Sequence, residues 1–395
     1  MSKKTIRDID VFDKKVLVRV DFNVPLEDGK ISDDTRIVEA LPTIQFLLER
    51  GAGVILMSHL GRPEGQVNMK YSLAPVAERL QSLLPETKVV MANDVVGADA
   101  KSKAKDLKPG EILLLENVRF ESGEEENSKE LSKKLASLGD IYVNDAFGTA
   151  HRKHASTYGI AMLRPNAIGF LIEKELNMIT GQIDNPKRPM VAILGGAKVK
   201  DKIGIVKSLL GKANSIIIGG GMAFTFLKAQ GLEIGKSLCD DEQLEYCKEI
   251  LAEAKEKGVN ILLPVDTVVA DSIDSLSGDN LKEVNIPADK MGVDIGKKTI
   301  KQFVKTIKKA KTVIWNGPMG VFENDAFNVG TYKVAKAVAK CHGTTIIGGG
   351  DSVSAIVNMG LSKKISHLST GGGASLKLFE GKVLPAVDII ENKII

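Results

Sequence analysis

The 395-residue sequence predicts an α/β protein with two doubly wound domains, each built on a parallel sheet covered by helices. Short apolar runs alternate with helical patterns along the chain, which is typical of parallel βαβ units. A chain of this length exceeds one ordinary hydrophobic core, so two domains of about 200 residues each are expected. Residues 181–189 contain two prolines and an Asn-Pro pair, which favours a linker. We place the first domain at 1–172, a helix and linker suited to a hinge at 173–188, and the second domain at 189–377.

The composition narrows the classes of function. Hydrophobic residues make up 43% and charged residues 26% of the chain, which describes a soluble globular protein. Cys239, Cys247 and Cys341 are too few and too badly spaced for a disulfide framework or a zinc site. The N-terminus lacks an apolar segment of signal-peptide length and no run approaches a membrane span, so we expect a cytoplasmic protein without a membrane partner. An aromatic share of 5% argues against stacking platforms for nucleic acid.

The first half combines an acidic balance with most of the arginines. Residues 1–186 carry 25 Lys and Arg against 28 Asp and Glu, yet they hold nine of the ten arginines. Arginine presents a planar fork suited to carboxylate and phosphate, so a local cluster is expected. In chain order, the predicted strands are 16–25, 53–57, 88–91, 112–115 and 141–143, and the predicted helices are 33–50, 73–83, 128–138 and 171–180.

Polar residues in the first strand and helix point to a site. Arg19, Asp21 and Asn23 alternate with apolar residues in the first strand. This pattern fits an edge strand with a solvated face or, as we favour, a polar row that faces a cleft. Arg36 falls in the first turn of the next helix, where a cation opposes the helix dipole and hints at a bound anion.

Further cationic side chains follow other predicted strands, namely His59, Arg62, Arg119, His151 and Arg152. The carboxyl ends of parallel strands meet at one edge of a sheet, so these residues should gather into a site for a small, multiply anionic molecule. A lone histidine is more often structural than functional, but His59 stands close to a glycine and an arginine. The acidic loop 121–126 is interpreted as solvated.

The second half opens with a predicted strand at 191–194, followed by Gly195 and Gly196. Lys198 and Lys202 come next, four residues apart, so a helix would put both ammonium groups on one face near its positive N-terminus. Strand, glycines and lysines together suggest an anion site, and the natural anion is a polyphosphate. A surface turn with two solvated lysines explains this segment alone equally well.

Glycine-rich turns follow other predicted strands of this half, at 219–221, 317–320, 348–350 and 371–373. Such turns at successive strand ends could build a backbone-lined nucleotide bed, although a glycine turn can also serve tight packing alone. Asp351 opens a helix after three glycines and suits magnesium. Glu323 could take a ribose hydroxyl.

The motifs that are missing bear on alternatives from other classes. Residues 231–237, GLEIGKS, have one residue too few between their glycines for a Walker A loop. A dinucleotide-dependent oxidoreductase would share the glycine-rich strand ends, but it should show GxGxxG, which is absent. A non-catalytic anion-binding protein would explain the arginines and the hinge, but not Asp351 beside a glycine bed.

Long motifs along the whole chain resemble those of the phosphoglycerate kinase family, in the same order. In the first half they are RVDFNVP at 19–25, SHLGRP at 58–63, ENVRF at 116–120 and NDAFGTAHR at 144–152. In the second half they are LGGAKVKDKI at 194–203, GGGMAFTF at 219–226, WNGPMGVFE at 315–323, GGGDS at 348–352 and STGGGAS at 369–375. The resemblance implies two Rossmann-like domains joined by a helical hinge, with the ligand cleft between them.

The resemblance also implies reversible phosphoryl transfer between 1,3-bisphosphoglycerate and MgADP, giving 3-phosphoglycerate and MgATP, in line and after hinge closure. By motif, the first domain would bind the glycerate ligand through Asp21, Phe22, Asn23, Arg36, His59, Leu60, Gly61, Arg62, Arg119 and Arg152. The second domain would bind the nucleotide through Gly196, Ala197, Lys198, Lys202, Gly221, Gly292, Glu323, Gly349, Gly350, Asp351 and Ser352. The catalytic group would consist of Arg36, Lys202, Gly372 and Gly373. His151 would help to orient Arg152.

Other expectations rest on the same resemblance. Asp351 is the implied ligand of Mg2+, ATP and ADP are the implied co-substrates, and the implied assembly is a monomer. The tail 378–395 is expected to pack back on the first domain. Two positions depart from the family pattern, because Lys297 stands where proline is common and Lys377 stands where an acidic residue is common. Neither is a ligand position.

Overall fold

The computed structural model describes residues 2–393. The chain divides into two compact units. Unit 1 consists of Met1–Leu176 with Val383–Ile395, and unit 2 consists of Asn177–Lys382. No helix among residues 2–393 is both long and apolar enough to cross a membrane.

Strands and helices alternate along unit 1. Its strands are β1 Lys15–Arg19, β2 Leu26–Glu27, β3 Lys30–Ile31, β4 Gly53–Met57, β5 Val89–Met91, β6 Ile112–Leu114, β7 Ile141–Asn144 and β8 Asn166–Ile168. Its helices are α1 Thr35–Glu49, α2 Ala74–Leu83, α3 Ala98–Asp106, α4 Lys129–Ala136 and the start of α5 Phe170–Asp184.

Unit 1 is organised around one parallel sheet of six strands in the order β5-β6-β4-β1-β7-β8. Val18 and Leu56, from neighbouring central strands, pack in one apolar core with Ile44 of α1. Central strands of a parallel sheet are covered on both faces, which explains why β4 is apolar and buried along its whole length. Apart from the first strand, the predicted helices and strands of this half occur within a few residues of their expected bounds.

The first strand is shorter than predicted. It ends at Arg19 rather than continuing to residue 25, so Asp21 and Asn23 lie in the loop that follows. Asp21 Oδ1 accepts the N–H of Asn23 at 3.1 Å, and such local side-chain bonds compete with the ladder of a sheet. The edge-strand interpretation of this polar row is therefore wrong, since β1 lies inside the sheet.

Unit 2 repeats the α/β alternation and adds a small antiparallel sheet. Its strands are β9 Met190–Leu194, β10 Ser215–Ile218, β11 Asn260–Leu262, β12 Thr267–Ala270, β13 Asp279–Leu281, β14 Met291–Ile295, β15 Thr312–Asn316, β16 Thr344–Ile347 and β17 His367–Leu368. Its helices are α6 Ile203–Leu210, α7 Met222–Ala229, α8 Leu244–Glu256, α9 Lys297–Lys308, α10 Val329–Ala339, α11 Gly350–Asn358 and α12 Gly373–Phe379. A short helix, α13 Pro385–Asp388, follows in the C-terminal part of unit 1.

The main sheet of unit 2 is parallel, with the order β11-β10-β9-β15-β16-β17. Trp315 of β15 is wholly buried and belongs to one core with Ile193 of β9 and Phe303 of α9. The second sheet, in the order β13-β12-β14, is antiparallel and was not anticipated from the sequence. Its strands are short and separated by irregular loops, so they carry little periodic signal.

The segment between the predicted domains and the C-terminal tail show two further features. Residues 181–184, which the proline pattern assigns to a linker, form the last turn of α5. The carboxylate of Asp145 accepts the N–H of Leu171 at 2.9 Å and so caps the start of this helix. In the tail, the N–H of Ala386 donates to the carbonyl of Ala150 at 3.1 Å.

Candidate active site

Neighbouring strands of unit 1 deliver the predicted anion-binding residues to one edge of the sheet. β4, β1 and β7 end level with one another, because Arg19 is in register with Met57 on one side and with Asn144 on the other. β6 lies beside β4 and ends at Leu114. The segments after these four strands carry Asp21, Asn23, His59, Arg62, Arg119, His151 and Arg152.

Arg36 lies in the first turn of α1, as the sequence predicts, and it has a partner there. Its Nη1 donates to Asp21 Oδ1 at 2.9 Å. A Cβ at Gly148 would lie 2.6 Å from the other carboxylate oxygen of Asp21, so a larger residue there would displace this carboxylate. The carboxylate offsets the cation at the helix N-terminus. The position of Arg36 therefore does not by itself require a bound anion.

The Arg119 guanidinium is almost buried and is held by a backbone carbonyl. Its Nη1 donates to the carbonyl of Gly61 at 2.9 Å, and its backbone N–H donates to Asn117 Oδ1 at 3.0 Å. Its Nε has no hydrogen-bond partner within residues 2–393 and lies 3.6 Å from the carboxylate of Glu125. A fixed cation with an unused donor suits an anionic ligand.

Two other arginines of the predicted cluster lie on the surface. Arg62 and Arg152 are both exposed. The Nε atom of Arg152 is 3.3 Å from Nε2 of His151, so the two side chains are in contact. Neither guanidinium forms an ion pair within residues 2–393, so both are available to a bound anion.

His59 is enclosed by arginines and carries no charge at pH 7. Arg19, which the sequence places in the anion cluster, is wholly buried, and its Nη2 donates to His59 Nδ1 at 3.2 Å. A guanidinium nitrogen can only donate, so Nδ1 accepts and the ring proton lies on Nε2. Burial, and after it the positive charges of Arg19 and Arg119, hold the pKa of His59 well below its ordinary range.

Glu124 is a buried member of this site that sequence reasoning missed. Its carboxylate Oε1 accepts the hydroxyl of Ser156 at 2.5 Å, and Ser156 Oγ accepts Nε–H of Arg19 at 2.7 Å. The interpretation of the loop 121–126 as solvated is therefore wrong for Glu124, which is 0% exposed. Glu125 and Glu126 beside it have the same side chain, so nothing in the local sequence singles out Glu124.

Phe22 and Leu60, which the resemblance includes among the substrate-binding residues, bury their side chains in unit 1. The N–H of Phe22 donates to Ser58 Oγ at 2.8 Å, and the carbonyl of Leu60 accepts from Asn117 at 2.7 Å. These groups shape the loops that carry the polar side chains. The N–H of Gly61 donates to Asn23 Oδ1 at 2.9 Å and so joins two of these loops.

Several glycines of unit 2 serve backbone packing. Gly195 and Gly317 lie so close that a Cβ on Gly317 would overlap the carbonyl of Gly195. A Cβ on Gly220 would lie 2.7 Å from the nitrogen of Gly196. For these positions the tight-packing alternative is correct. Three of the implied nucleotide positions also lie against protein atoms, namely Gly221 near Ala197, Gly292 near Phe224 and Gly349 near Asn316.

Other glycines of unit 2 lie beside open space. A Cβ at Gly350 or Gly372 would meet no atom within 4 Å, and one at Gly196 would meet only Cε of Lys202, at 3.6 Å. Gly350 is the first residue of α11, and Gly372 precedes α12. Backbone N–H groups at such turns can approach a phosphate closely.

Lys198 and Lys202 do not share one helix, so that prediction is wrong. A short 3-10 turn, Val199–Asp201, separates them, and α6 begins only at Ile203. Lys198 is exposed, whereas Nζ of Lys202 donates to Asn316 Oδ1 at the end of β15. Burial lowers the pKa of Lys202, and the negative charges of Asp201 and Asp351 oppose that shift.

The arrangement around Asp351 fits Mg2+ in one particular way. Asp351 is exposed in the first turn of α11, as predicted. No group of three or more His, Cys, Asp or Glu side chains suited to a metal occurs in the part of the chain that the structure describes. Mg2+ is often held by one or two carboxylates together with substrate phosphates, so a single carboxylate fits. Ser352 is buried and its Oγ accepts the N–H of Gly317 at 2.7 Å.

The two units thus carry different kinds of site at the carboxyl edges of their sheets. The arginines and neutral histidine of unit 1 suit a small molecule with carboxylate or phosphate groups. The open glycines, half-buried Lys202 and exposed Asp351 of unit 2 suit a magnesium nucleotide. This combination defines an α/β phosphotransferase that acts on a small anionic substrate.

Comparison with known proteins identifies the family. The family model described as phosphoglycerate kinase matches residues 6–382. The phosphoglycerate kinase of Clostridium botulinum is 55% identical over 393 residues, which are 99% of both chains. That of Roseiflexus castenholzii is 55% identical over 394 residues, 99% of this chain and 100% of the relative. The solved structure of phosphoglycerate kinase from Coxiella burnetii superposes with a TM-score of 0.90 at 42% identity and 98% coverage of both chains. The structure from Pyrococcus horikoshii gives 0.79 at 34% identity and the same coverage.

The chain belongs to the phosphoglycerate kinase family. It is an ATP:3-phosphoglycerate 1-phosphotransferase of glycolysis, which transfers a phosphoryl group between 1,3-bisphosphoglycerate and ADP to give 3-phosphoglycerate and ATP. The predictions of family, fold class and reaction are confirmed. The oxidoreductase and the non-catalytic binding protein are excluded.

Proposed function

We propose that unit 1 binds the glycerate ligand and that unit 2 binds the nucleotide. The observation that carries the first assignment is the gathering of Arg36, Arg119 and neutral His59 behind adjacent strand ends. Exposed Arg62 and Arg152 would complete the cation set. Guanidinium forks match phosphate and carboxylate oxygens, and the ligand carries both groups.

The remaining polar groups of unit 1 would orient the ligand. The carboxylate of Asp21 and the amide of Asn23 are half-buried, and they suit the glycerate hydroxyl as acceptor and donor. Phe22, Leu60 and Gly61 would contribute through the backbone that holds these loops. The corresponding domain assignment is 1–172, with the tail 378–395 packed on it; of this tail, residues 383–395 belong to unit 1 and residues 378–382 to unit 2.

In unit 2 the nucleotide would lie along the turns after β9, β15 and β16. Gly196 and Gly350 present open backbone, and Lys202 supplies a half-buried cation for the phosphates. Lys198 and Glu323 are both exposed, and Glu323 would accept a ribose hydroxyl. The other implied positions, Ala197, Gly221, Gly292, Gly349 and Ser352, would shape the bed around these contacts.

Asp351 would hold Mg2+ jointly with the nucleotide phosphates. A bound Mg2+ neutralises phosphate charge and so lowers the cost of transfer. The side chain lies at the N-terminus of α11, and its negative charge opposes the lowering of the Lys202 pKa by burial.

The transfer itself would depend on position and charge rather than on a covalent intermediate. The acyl phosphate is already activated and an oxygen of the acceptor substrate attacks it, so the protein needs to supply neither a strong base nor a covalent nucleophile. Arg36 from unit 1 and Lys202 from unit 2 would stabilise the transferring group, together with the backbone at Gly372 and Gly373. Since the ligands are bound by different units, closure about the 173–188 segment would bring them into line before transfer. The enzyme would act as a cytoplasmic monomer.

Calorimetric binding of each ligand to two variants, one in each unit, tests the division of ligands between the units. Arg62→Ala is expected to weaken 3-phosphoglycerate binding about 10- to 100-fold, as for a lost charged contact, and to leave MgADP binding unchanged. Asp351→Asn is expected to do the reverse. Arg79→Ala, which removes another exposed arginine of unit 1, is the matched control. Loss of both ligands in either variant, or of neither, would contradict the proposal.

A further inference from the structure

A buried chain of polar side chains ends at His59 in unit 1. It runs from Glu124 through Ser156 and Arg19 to the imidazole, with successive distances of 2.5, 2.7 and 3.2 Å. We propose that Glu124 and Ser156 are positioning residues, which hold Arg19 and thereby present His59 to the glycerate ligand as a neutral Nε2–H donor. This inference deepens the proposed ligand site of unit 1 and rests on it.

The hydrogen bonds that Arg19 makes in this chain can run in only one direction, because a guanidinium group only donates. The Oγ atom of Ser156 lies 2.5 Å from Oε1 of Glu124, and the single hydroxyl proton of Ser156 is donated to that oxygen. Its oxygen is then free to accept Nε–H from Arg19. Arg19 has no acceptor atoms, so its contact with His59 is a donation to Nδ1. The direction of the bonds therefore determines which nitrogen of His59 carries the proton.

Glu124 anchors the chain at the end opposite to His59. Its carboxyl oxygens lie 3.2 and 3.3 Å from the Ser156 N–H, and its backbone carbonyl accepts from Ala155 at 2.9 Å. Arg19 forms no direct ion pair among residues 2–393, although it is wholly buried, so Ser156 is the link between this cation and a carboxyl group. A buried cation held in this way has one preferred orientation.

A fixed tautomer matters because of what surrounds His59. The charged or titratable groups that act on it are Arg19, Arg36, Arg119 and His154. A protonated imidazole would be repelled by the three guanidinium cations, and an Nδ1–H tautomer would oppose the donor of Arg19. A neutral ring with its proton on Nε2 avoids both conflicts and keeps one donor for a phosphate or carboxylate oxygen.

Nitrogen NMR on the intact 15N-labelled enzyme, without ligand, tests the expected tautomer of His59. Long-range proton–nitrogen spectra distinguish the two tautomers, and the spectrum of His59→Gln assigns one signal set among the five histidines. Between pH 6 and pH 8 we expect an unprotonated Nδ1 and a protonated Nε2. A wild-type His59 that carries its proton on Nδ1, or is doubly protonated at pH 7, would overturn the proposal whatever the variants do.

Ser156→Ala tests the positioning role, because it removes the acceptor of Arg19 Nε–H and the link to Glu124, while the donation of Arg19 Nη1 to the carbonyl of Val20 remains. We expect a mixture of His59 tautomers, a rise in KM for 3-phosphoglycerate of about fivefold, as for one lost hydrogen bond, and an unchanged KM for MgATP. Ser132→Ala is the matched control, since Ser132 is buried in the same unit and, among the residues that the structure describes, its hydroxyl bonds only the carbonyl of Ser128, at 2.8 Å. It should alter neither quantity.

The outcomes separate the network from a purely structural role and from the proposed ligand. A folded Ser156→Ala enzyme with the wild-type tautomer and an unchanged KM would overturn the positioning role. If Ser156→Ala did not fold, Arg19→Lys would replace it, because a lysine ammonium lacks the guanidinium fork that contacts Ser156 and His59 together. The His59 tautomer and the KM for 3-phosphoglycerate in Arg19→Lys would then decide in the same way. If wild-type His59 showed the expected tautomer but 3-phosphoglycerate did not bind, the ligand assignment would fail while the network stood.

Discussion

Replacing Arg36 by alanine should separate catalysis from nucleotide binding. The Arg36 guanidinium is 2.9 Å from Asp21 and partly exposed, so it is available to an approaching phosphoryl group. Removal of one donor that acts on transition-state charge typically costs about 100- to 1,000-fold in turnover, or about 3–4 kcal/mol. We therefore expect kcat to fall by about this factor. Lys202 and Asp351, which belong to unit 2, keep their contacts.

The fall should not result from unfolding. The side chains of Arg36 and Asp21 are 36% and 12% exposed, and ion pairs with this degree of exposure contribute about 0.2–1 kcal/mol after screening by solvent. A loss of this size is small beside the usual stability of a folded domain, about 5–15 kcal/mol. The two effects differ by several-fold in free energy, so kinetics and unfolding can be read separately.

Steady-state kinetics in the direction of 3-phosphoglycerate phosphorylation, with calorimetry of MgADP binding, measures both quantities. The control is Arg79→Ala, because Arg79 also forms an exposed ion pair in unit 1, with Asp34 at 2.7 Å, and lies outside the proposed site. It should leave kcat within about twofold of wild type. A loss of MgADP affinity in Arg36→Ala comparable to the loss of turnover, or a kcat close to wild type, would refute the reasoning.

Three further predictions concern two glycines of unit 2, the carboxyl group of Asp145 and the need for magnesium. Gly317→Ala should lower the free energy of unfolding in denaturant by about 2–4 kcal/mol, because the φ of Gly317 is +102° and a Cβ would overlap Gly195. Gly350→Ala should unfold like wild type and lose MgADP affinity, since its Cβ would enter open space. Equal stability of the two variants would argue against this account. Burial raises the pKa of Asp145 to about 6, so the stability that this group contributes is complete below about pH 4 and is lost as pH rises through about 6, by about 3 kcal/mol. In Asp145→Asn the free energy of unfolding in urea should therefore vary less with pH over that range. The same pH dependence in wild type and variant would contradict the assignment. Removal of magnesium with EDTA should abolish turnover reversibly and leave calorimetric binding of 3-phosphoglycerate unchanged, and full turnover in EDTA would exclude a role for the metal.

Local sequence predicted many elements of this protein because they depend on short-range patterns. The apolar run 53–57 is β4, and the helical pattern 33–50 contains α1. Asp351 lies in the first turn of α11, as the three preceding glycines indicated. Such features are set by side-chain periodicity and by backbone freedom at glycine, both of which are visible in a single segment.

The failures of prediction occur where distant segments decide the local structure. Lys198 and Lys202 have the spacing of one helical face, but a 3-10 turn separates them and Lys202 is drawn to Asn316, which is 114 residues away. Sequence motifs do not distinguish the glycines at 195, 317 and 350. Only the packed turns show that Gly195 and Gly317 contact each other's backbone, whereas Gly350 borders open space.

The sequence by itself determined the family, the reaction and the strand ends that carry polar groups, because long motifs and parallel βαβ connections are properties of the linear chain. Tertiary structure decided which of those groups are usable. Arg19 is buried and donates to His59, Arg62 remains exposed, and Glu124 is buried although its exposed neighbours Glu125 and Glu126 have the same side chain. The physical reason is that burial and hydrogen-bond partners depend on residues far apart in the chain, so protonation state and available donors are fixed only when those residues pack together.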